Sequence, residues 1–88
     1  MKIKDGYLLR EIADTYIVVP IAERVAEFKG MMTLNAVAAE VWGFLKTDRS
    51  YEEILGHVLS VYDIDEKTAD EDLKKLLKQM ESSGVLEK

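Results

Sequence analysis

The sequence contains no cysteine, one proline, one histidine and one tryptophan in 88 residues. Without cysteine there is no disulfide framework, no thiolate metal site and no thiol nucleophile. Such usage suits a reducing cytoplasm. The lone histidine, His57, does not supply the converging ligands of a metal centre, and no oriented nucleophile–base pair accompanies it. It reads as a surface side chain on the flank of a helix. No apolar run approaches the roughly 20 residues of a membrane span. Met1-Lys2-Ile3-Lys4-Asp5 lacks the apolar segment of a signal peptide. Positive charge is also scarce: 12 Lys and Arg stand against 17 Asp and Glu, for a net charge of −5. Nucleic-acid binders draw most of their affinity from neutralising phosphates, so this balance argues against that class.

Hydrophobic residues make up 48% and charged residues 33% of the chain, which fits one globular domain over residues 1–88. A core of that size is modest, and most apolar residues are needed for folding. The N-terminal third reads as strands. Tyr7–Ile12 mixes apolar and polar residues, Ala13-Asp14-Thr15 suits a turn, and Tyr16-Ile17-Val18-Val19 is aromatic and β-branched. Pro20 ends regular pairing or sits at an edge. Val25–Phe28 is compatible with a short strand or a loop flank, Gly30 with a bend, and Met31–Leu34 with a further extended piece.

From Asn35 the period changes to about 3.6 residues. Asn35 suits an N-cap, and Val37, Val41, Phe44 and Leu45 share one helical face. Ser50 and Glu53 form a capping box ahead of a second helix that buries Ile54, Leu55, Val58, Leu59 and Tyr62. Asp65 caps a third, whose apolar face is Ala69, Leu73, Leu76, Leu77 and Met80. Gly84 fits the left-handed residue that ends a helix, and Val85 and Leu86 return to the core. The expected fold is α+β and winged-helix-like: a three-stranded antiparallel sheet followed by three helices.

The acidic cluster Asp63, Asp65, Glu66, Asp70, Glu71 and Asp72 does not make a calcium loop. Lys67 and Thr68 stand where a ligand and a glycine are required, and Lys74 replaces the closing Glu. These acids are better placed as charges favoured at a helix start. The glycines form no phosphate-binding pattern. Met31, Met32, Trp42 and Met80 read as core or groove lining. No catalytic residue, metal ligand or cofactor is expected.

Gly30-Met31-Met32-Thr33-Leu34-Asn35 runs directly into Val37, Ala38, Val41, Trp42 and Leu45. This resembles the G-M-x-x-L-N-x-x-A-x-x-(I/V)-W-x-x-L pattern of PqqD-like proteins. Ser50-Tyr51-Glu52-Glu53-Ile54, Leu59 with Tyr62-Asp63, and Leu77, Met80 and Gly84-Val85-Leu86 continue the likeness over nearly the whole chain. The resemblance implies a non-catalytic peptide-binding chaperone. It would capture the leader of a ribosomally made precursor peptide by strand addition and present it to a modifying enzyme, often a radical S-adenosylmethionine enzyme. It implies binding along Met31, Met32, Thr33 and Leu34, extended by Val25 and Phe28, and against a flank of the third helix. One edge of that helix offers Lys74 and Lys78 and is the favoured one, because a charged partner would reach it without uncovering the core; the other offers Asp72 and Gln79. The family has a very short turn where Ala22–Lys29 intervenes here. The alternative is a winged-helix DNA-binding regulator, but its reading segment, Asp65–Asp72, would carry five acids against Lys67 and repel phosphate.

Overall fold

The computed structural model describes residues 1–21 and 32–87. The elements are β1 (Lys2–Ile3), β2 (Tyr7–Ile12), β3 (Thr15–Pro20), β4 (Met32–Leu34), α1 (Ala36–Phe44), α2 (Tyr51–Val61), α3 (Glu66–Ser82) and β5 (Leu86–Glu87). Strands β2, β3 and β4 form an antiparallel sheet in that order, and three helices follow, as expected. The proposed strand Val25–Phe28 lies outside the described residues.

Ile12 pairs with Thr15, so Ala13 and Asp14 alone make the β2–β3 turn. Two-residue hairpins require a positive φ, which Gly or Asn usually supplies. Here Ala13 adopts it, at φ 58°, against the repulsion between its Cβ and the backbone. Pro20 closes β3 opposite Tyr7, and just beyond it the Ile21 N–H donates to the Gly6 carbonyl at 2.9 Å. Alternation assigns the two faces of the sheet. Tyr7, Val18, Met32 and Leu34 are buried, whereas Leu8, Ile12 and Thr33 are exposed.

Each helix begins with a side-chain cap. The Asn35 carboxamide oxygen accepts from the Ala38 N–H at 2.8 Å. The Ser50 hydroxyl accepts from the Glu53 N–H at 3.1 Å, and Glu53 accepts from the Ser50 N–H at 2.9 Å. The bond from the Ser50 N–H favours the ionised carboxylate and holds Glu53 below its ordinary range. Asp65 accepts from both the hydroxyl and the N–H of Thr68, which lowers its pKa likewise. Helix α3 stops in a left-handed cap. Gly84 takes φ 80°, its N–H reaches the Glu81 carbonyl, and the Val85 N–H reaches the Met80 carbonyl.

That cap turns Val85 and Leu86 back into the core, and β5 pairs with β1 in a second, two-stranded sheet. The Ile3 N–H donates to the Leu45 carbonyl at 2.8 Å and the Lys4 N–H to the Val85 carbonyl at 2.9 Å, so the first strand is tied both to the end of α1 and to the segment that returns after α3. Trp42, Leu45, Ile54, Met80, Val41 and Val85 are the largest fully buried side chains. On α1 the buried face is Ala38, Val41 and Trp42, while the expected Val37 and Phe44 are half-buried flanks. On α2, Ile54 and Val58 are buried, and Leu55, Leu59 and Tyr62 pack partly against them. On α3, Ala69, Leu73, Leu77 and Met80 are buried, with Leu76 at the margin.

Truncating this core has a graded cost. Met80→Ala and Leu77→Ala are each expected to destabilise the domain by about 2–5 kcal/mol. Met80 is fully enclosed and Leu77 is 8% exposed, so the Met80 variant should lose more. Urea denaturation midpoints of the two variants check the order.

Candidate functional site

Strand β4 is an edge of its sheet, and among the described residues β3 is its only strand neighbour. The pairs Tyr16–Leu34, Ile17–Thr33 and Val18–Met32 use one side of its backbone. The other side faces away from the sheet, and alternate N–H and C=O groups of a strand point that way. Beside this edge a groove of about 410 Å³ runs between β4, α1 and α3. Leu34, Ala38, Val41, Val58, Ala69 and Leu73 reach it from the core, with half-buried Val37, Ile64 and Leu76 beside them. Exposed Thr33, Asn35, Asp72, Lys75 and Gln79 form its rim.

The helical repeat explains which part of α3 lines the groove. Ala69, Leu73, Leu77 and Met80 take the core-facing stripe. Asp72, Lys75, Leu76 and Gln79 follow the i, i+3, i+4, i+7 spacing and so share the adjoining flank; all four line the groove. Lys74 and Lys78 lie on the far side of the helix and do not line it.

Of the residues singled out from sequence, the structure therefore brings Thr33, Leu34, Asp72 and Gln79 together. Met32 is buried behind β4, paired with Val18, and contributes to the core. Lys74 engages Asp70 at 3.1 Å, and Lys78 is exposed. Val25, Phe28 and Met31 lie outside the described residues. Sequence reasoning did not single out Asn35, Val37, Ala38, Val58, Ile64 or Lys75 as site residues. The spacing from Asp72 to Lys75 and Gln79 was the available signal for Lys75.

Two side-chain clusters hold the walls. The Tyr51 hydroxyl donates to Asp70 Oδ1, and Lys74 Nζ approaches Asp70 Oδ2, tying the start of α2 to α3. The hydrogen bond from Tyr51, followed by that from Lys74, lowers the Asp70 pKa. Burial, aided by the Asp70 carboxylate, pushes Tyr51 up to about 12. Between α1 and α2, His57 stacks on Phe44 with ring centroids 4.2 Å apart. Its Nε2 lies 3.0 Å from Glu40 Oε2, and the Arg49 guanidinium lies 4.3 Å from the Phe44 ring centre. His57 is thus partly buried packing rather than the loose surface side chain expected. Among the described residues no group of three or more His, Cys, Asp or Glu is placed to hold a metal ion. No helix there is long and apolar enough to cross a membrane.

The model of the family described as coenzyme PQQ synthesis protein D (PqqD) matches residues 16–86. Among solved structures, TbiB1 in complex with the TbiA(beta) leader peptide is similar at a TM-score of 0.74. The two share 25% sequence identity, and the match covers 99% of this chain and 95% of that one. No curated protein sequence matches.

The Tyr51–Asp70 contact yields a pH signature. Asp70 has a lowered pKa in the folded state, so its contribution to stability is present above the ordinary carboxylate range and is lost as pH falls through the lowered value. Tyr51 is raised, so its contribution is present below its ordinary value of 10.0 and is lost as pH rises through about 12. In Tyr51→Phe, Asp70 should titrate at higher pH, nearer its ordinary 3.8, and the acid limb of the stability curve should flatten. Side-chain carboxyl NMR titration of the two proteins measures the shift.

Proposed function

The chain belongs to the PqqD family, and from that membership we propose that it is a recognition domain for the leader of a ribosomally made precursor peptide. The carrying observation is the outer edge of β4 lying beside an apolar groove against α3. The similar fold of TbiB1, solved with a leader peptide bound, supports the same reading.

The mechanism is strand addition. An extended segment laid along β4 satisfies the outward backbone groups of Met32–Leu34, and this main-chain pairing is indifferent to sequence. Its side chains alternate, so every second one points toward the groove and meets Val37, Leu76 and the floor between α1 and α3. The contacting flank of α3 in this reading is that of Asp72, Lys75 and Gln79. On the far side of the helix Lys78 remains open to a second protein, while Lys74 is engaged by Asp70. The chain itself performs no chemistry here. It holds the leader while the rest of the precursor reaches a modifying enzyme, for which a radical S-adenosylmethionine enzyme is the family expectation.

A 1H–15N titration with a synthetic leader from the precursor encoded nearest this chain tests the assignment. Shifts should concentrate at Thr33, Leu34, Asp72, Leu76 and Gln79. Shifts confined to α2, or no binding at high micromolar peptide, would overturn it. Single backbone N-methylations along the leader provide the second measurement. Those removing an N–H bonded to β4 should weaken binding roughly tenfold, and their immediate neighbours should be tolerated, giving a period of two.

A further inference from the structure

We infer that the open face of the β2–β3–β4 sheet, on the side away from the helices, is the docking surface for the enzyme that receives the peptide. That enzyme meets it with apolar side chains and a carboxylate. The inference rests on the peptide-binding reading and deepens it by placing the second partner on a surface outside the groove.

The first ground is what this face exposes. Strand alternation turns Tyr7, Val18, Met32 and Leu34 into the core shared with the helices. The opposite side carries Leu8, Ile12, Ile17 and Val19, and the register Leu8–Val19, Arg10–Ile17 makes them neighbours across the strands. Leu8 is 50% and Ile12 59% exposed. Neither they nor half-buried Ile17 and Val19 belong to the side chains packed on the core. An antiparallel sheet with one face in water ordinarily carries polar residues on that face. A contiguous apolar patch in their place marks an interaction surface.

The second ground is charge. The chain carries a net charge of −5, yet none of the outward residues of β2, β3 and β4 is acidic; the polar ones are Arg10, Thr15 and Thr33. Arg10 lies between Leu8 and Ile12, and among the described residues no carboxylate pairs with it. Covering this face buries the guanidinium, and a buried charge requires an opposite one beside it. A second copy of the chain, brought up about a two-fold axis, presents the same cation and no acid. The occupant that fits is a different protein, apolar at the contact and carrying an Asp or Glu for Arg10.

The third ground is continuity with the peptide. Arg10, Ile17 and Thr33 form one cross-strand row that ends at β4. A leader strand added to β4 continues the row, because its residue opposite Thr33 points to the same face as Thr33. The leader side chains that do not enter the groove therefore extend the open face. A protein seated there touches the recognition domain and the leader together.

The probe is the peptide-modifying enzyme encoded nearest this chain, titrated by calorimetry into the protein alone and into the protein saturated with leader. Leu8→Thr combined with Ile12→Thr removes the apolar patch and keeps strand propensity. Arg10→Glu reverses the charge and serves if the double variant does not fold. Each should weaken enzyme binding at least about tenfold, with leader affinity unchanged. Saturating leader should raise enzyme affinity at least about fivefold, and the enzyme should raise leader affinity by the same factor. Lys78→Glu, on the far flank of α3, is the control and should change nothing. Enzyme binding that both face variants leave intact, that Lys78→Glu abolishes instead, that is equal with and without leader, or that does not occur overturns the inference. So does a concentration-dependent dimer that the double variant dissolves, which assigns the face to a second copy. Leader shifts that miss β4, with the face variants still weakening enzyme binding, leave the docking surface standing and sink the peptide reading.

Discussion

The burial of one stripe of α3 determines the rest of the site. Ala69, Leu73, Leu77 and Met80 enter the same core as Trp42, Leu45 and Ile54. A helix has a fixed angular repeat, so committing that stripe also fixes the direction of every other residue. Asp72, Lys75, Leu76 and Gln79 are turned toward the groove beside β4, and Lys74 and Lys78 away from it. The tie from Tyr51 to Asp70 then fixes the start of α2 against the same helix. The groove is thus bounded mainly by elements whose positions are set by the core, with Ile64 of the α2–α3 connection completing its lining.

Edge strands are usually hazards, because exposed backbone groups accept any extended chain. Among the described residues β4 is Met32–Leu34, and two of its side chains, Met32 and Leu34, are buried, so the apolar side chains of this edge are turned into the core while its backbone stays at the margin of the sheet.

Much of this was legible in the sequence because it is periodic or punctuated. Asn35, Ser50 with Glu53, Asp65 and Gly84 mark helix ends by local chemistry, and each does so in the structure. The three-stranded sheet was legible from its β-branched and aromatic composition. Strands β1 and β5 were not, because two residues carry no period and their pairing joins opposite ends of the chain. The turn at Ala13 likewise lacks the glycine or asparagine that would advertise its backbone. For the site, the helical repeat separates the Asp72–Gln79 edge of α3 from the Lys74–Lys78 edge. It does not say which edge looks toward β4, because that depends on how α1, α2 and α3 cross. Trp42 and Ala38 carry the buried face of α1 for the same reason: contact with neighbouring helices, rather than hydropathy along one wheel, selects the inner side.

The pairing of β1 with β5 has an energetic side. Lys2 opposite Glu87 and Ile3 opposite Leu86 close almost the entire chain into a ring. The β2–β3 hairpin and the three helices, by contrast, are assembled from near neighbours. Closing the longest loop carries the largest entropic penalty, and here the burial of Ile3, Val85 and Leu86 offsets it together with the two-residue ladder. The clasp therefore belongs to the cooperative core rather than to a fraying edge, and loosening it would uncover those three side chains to water.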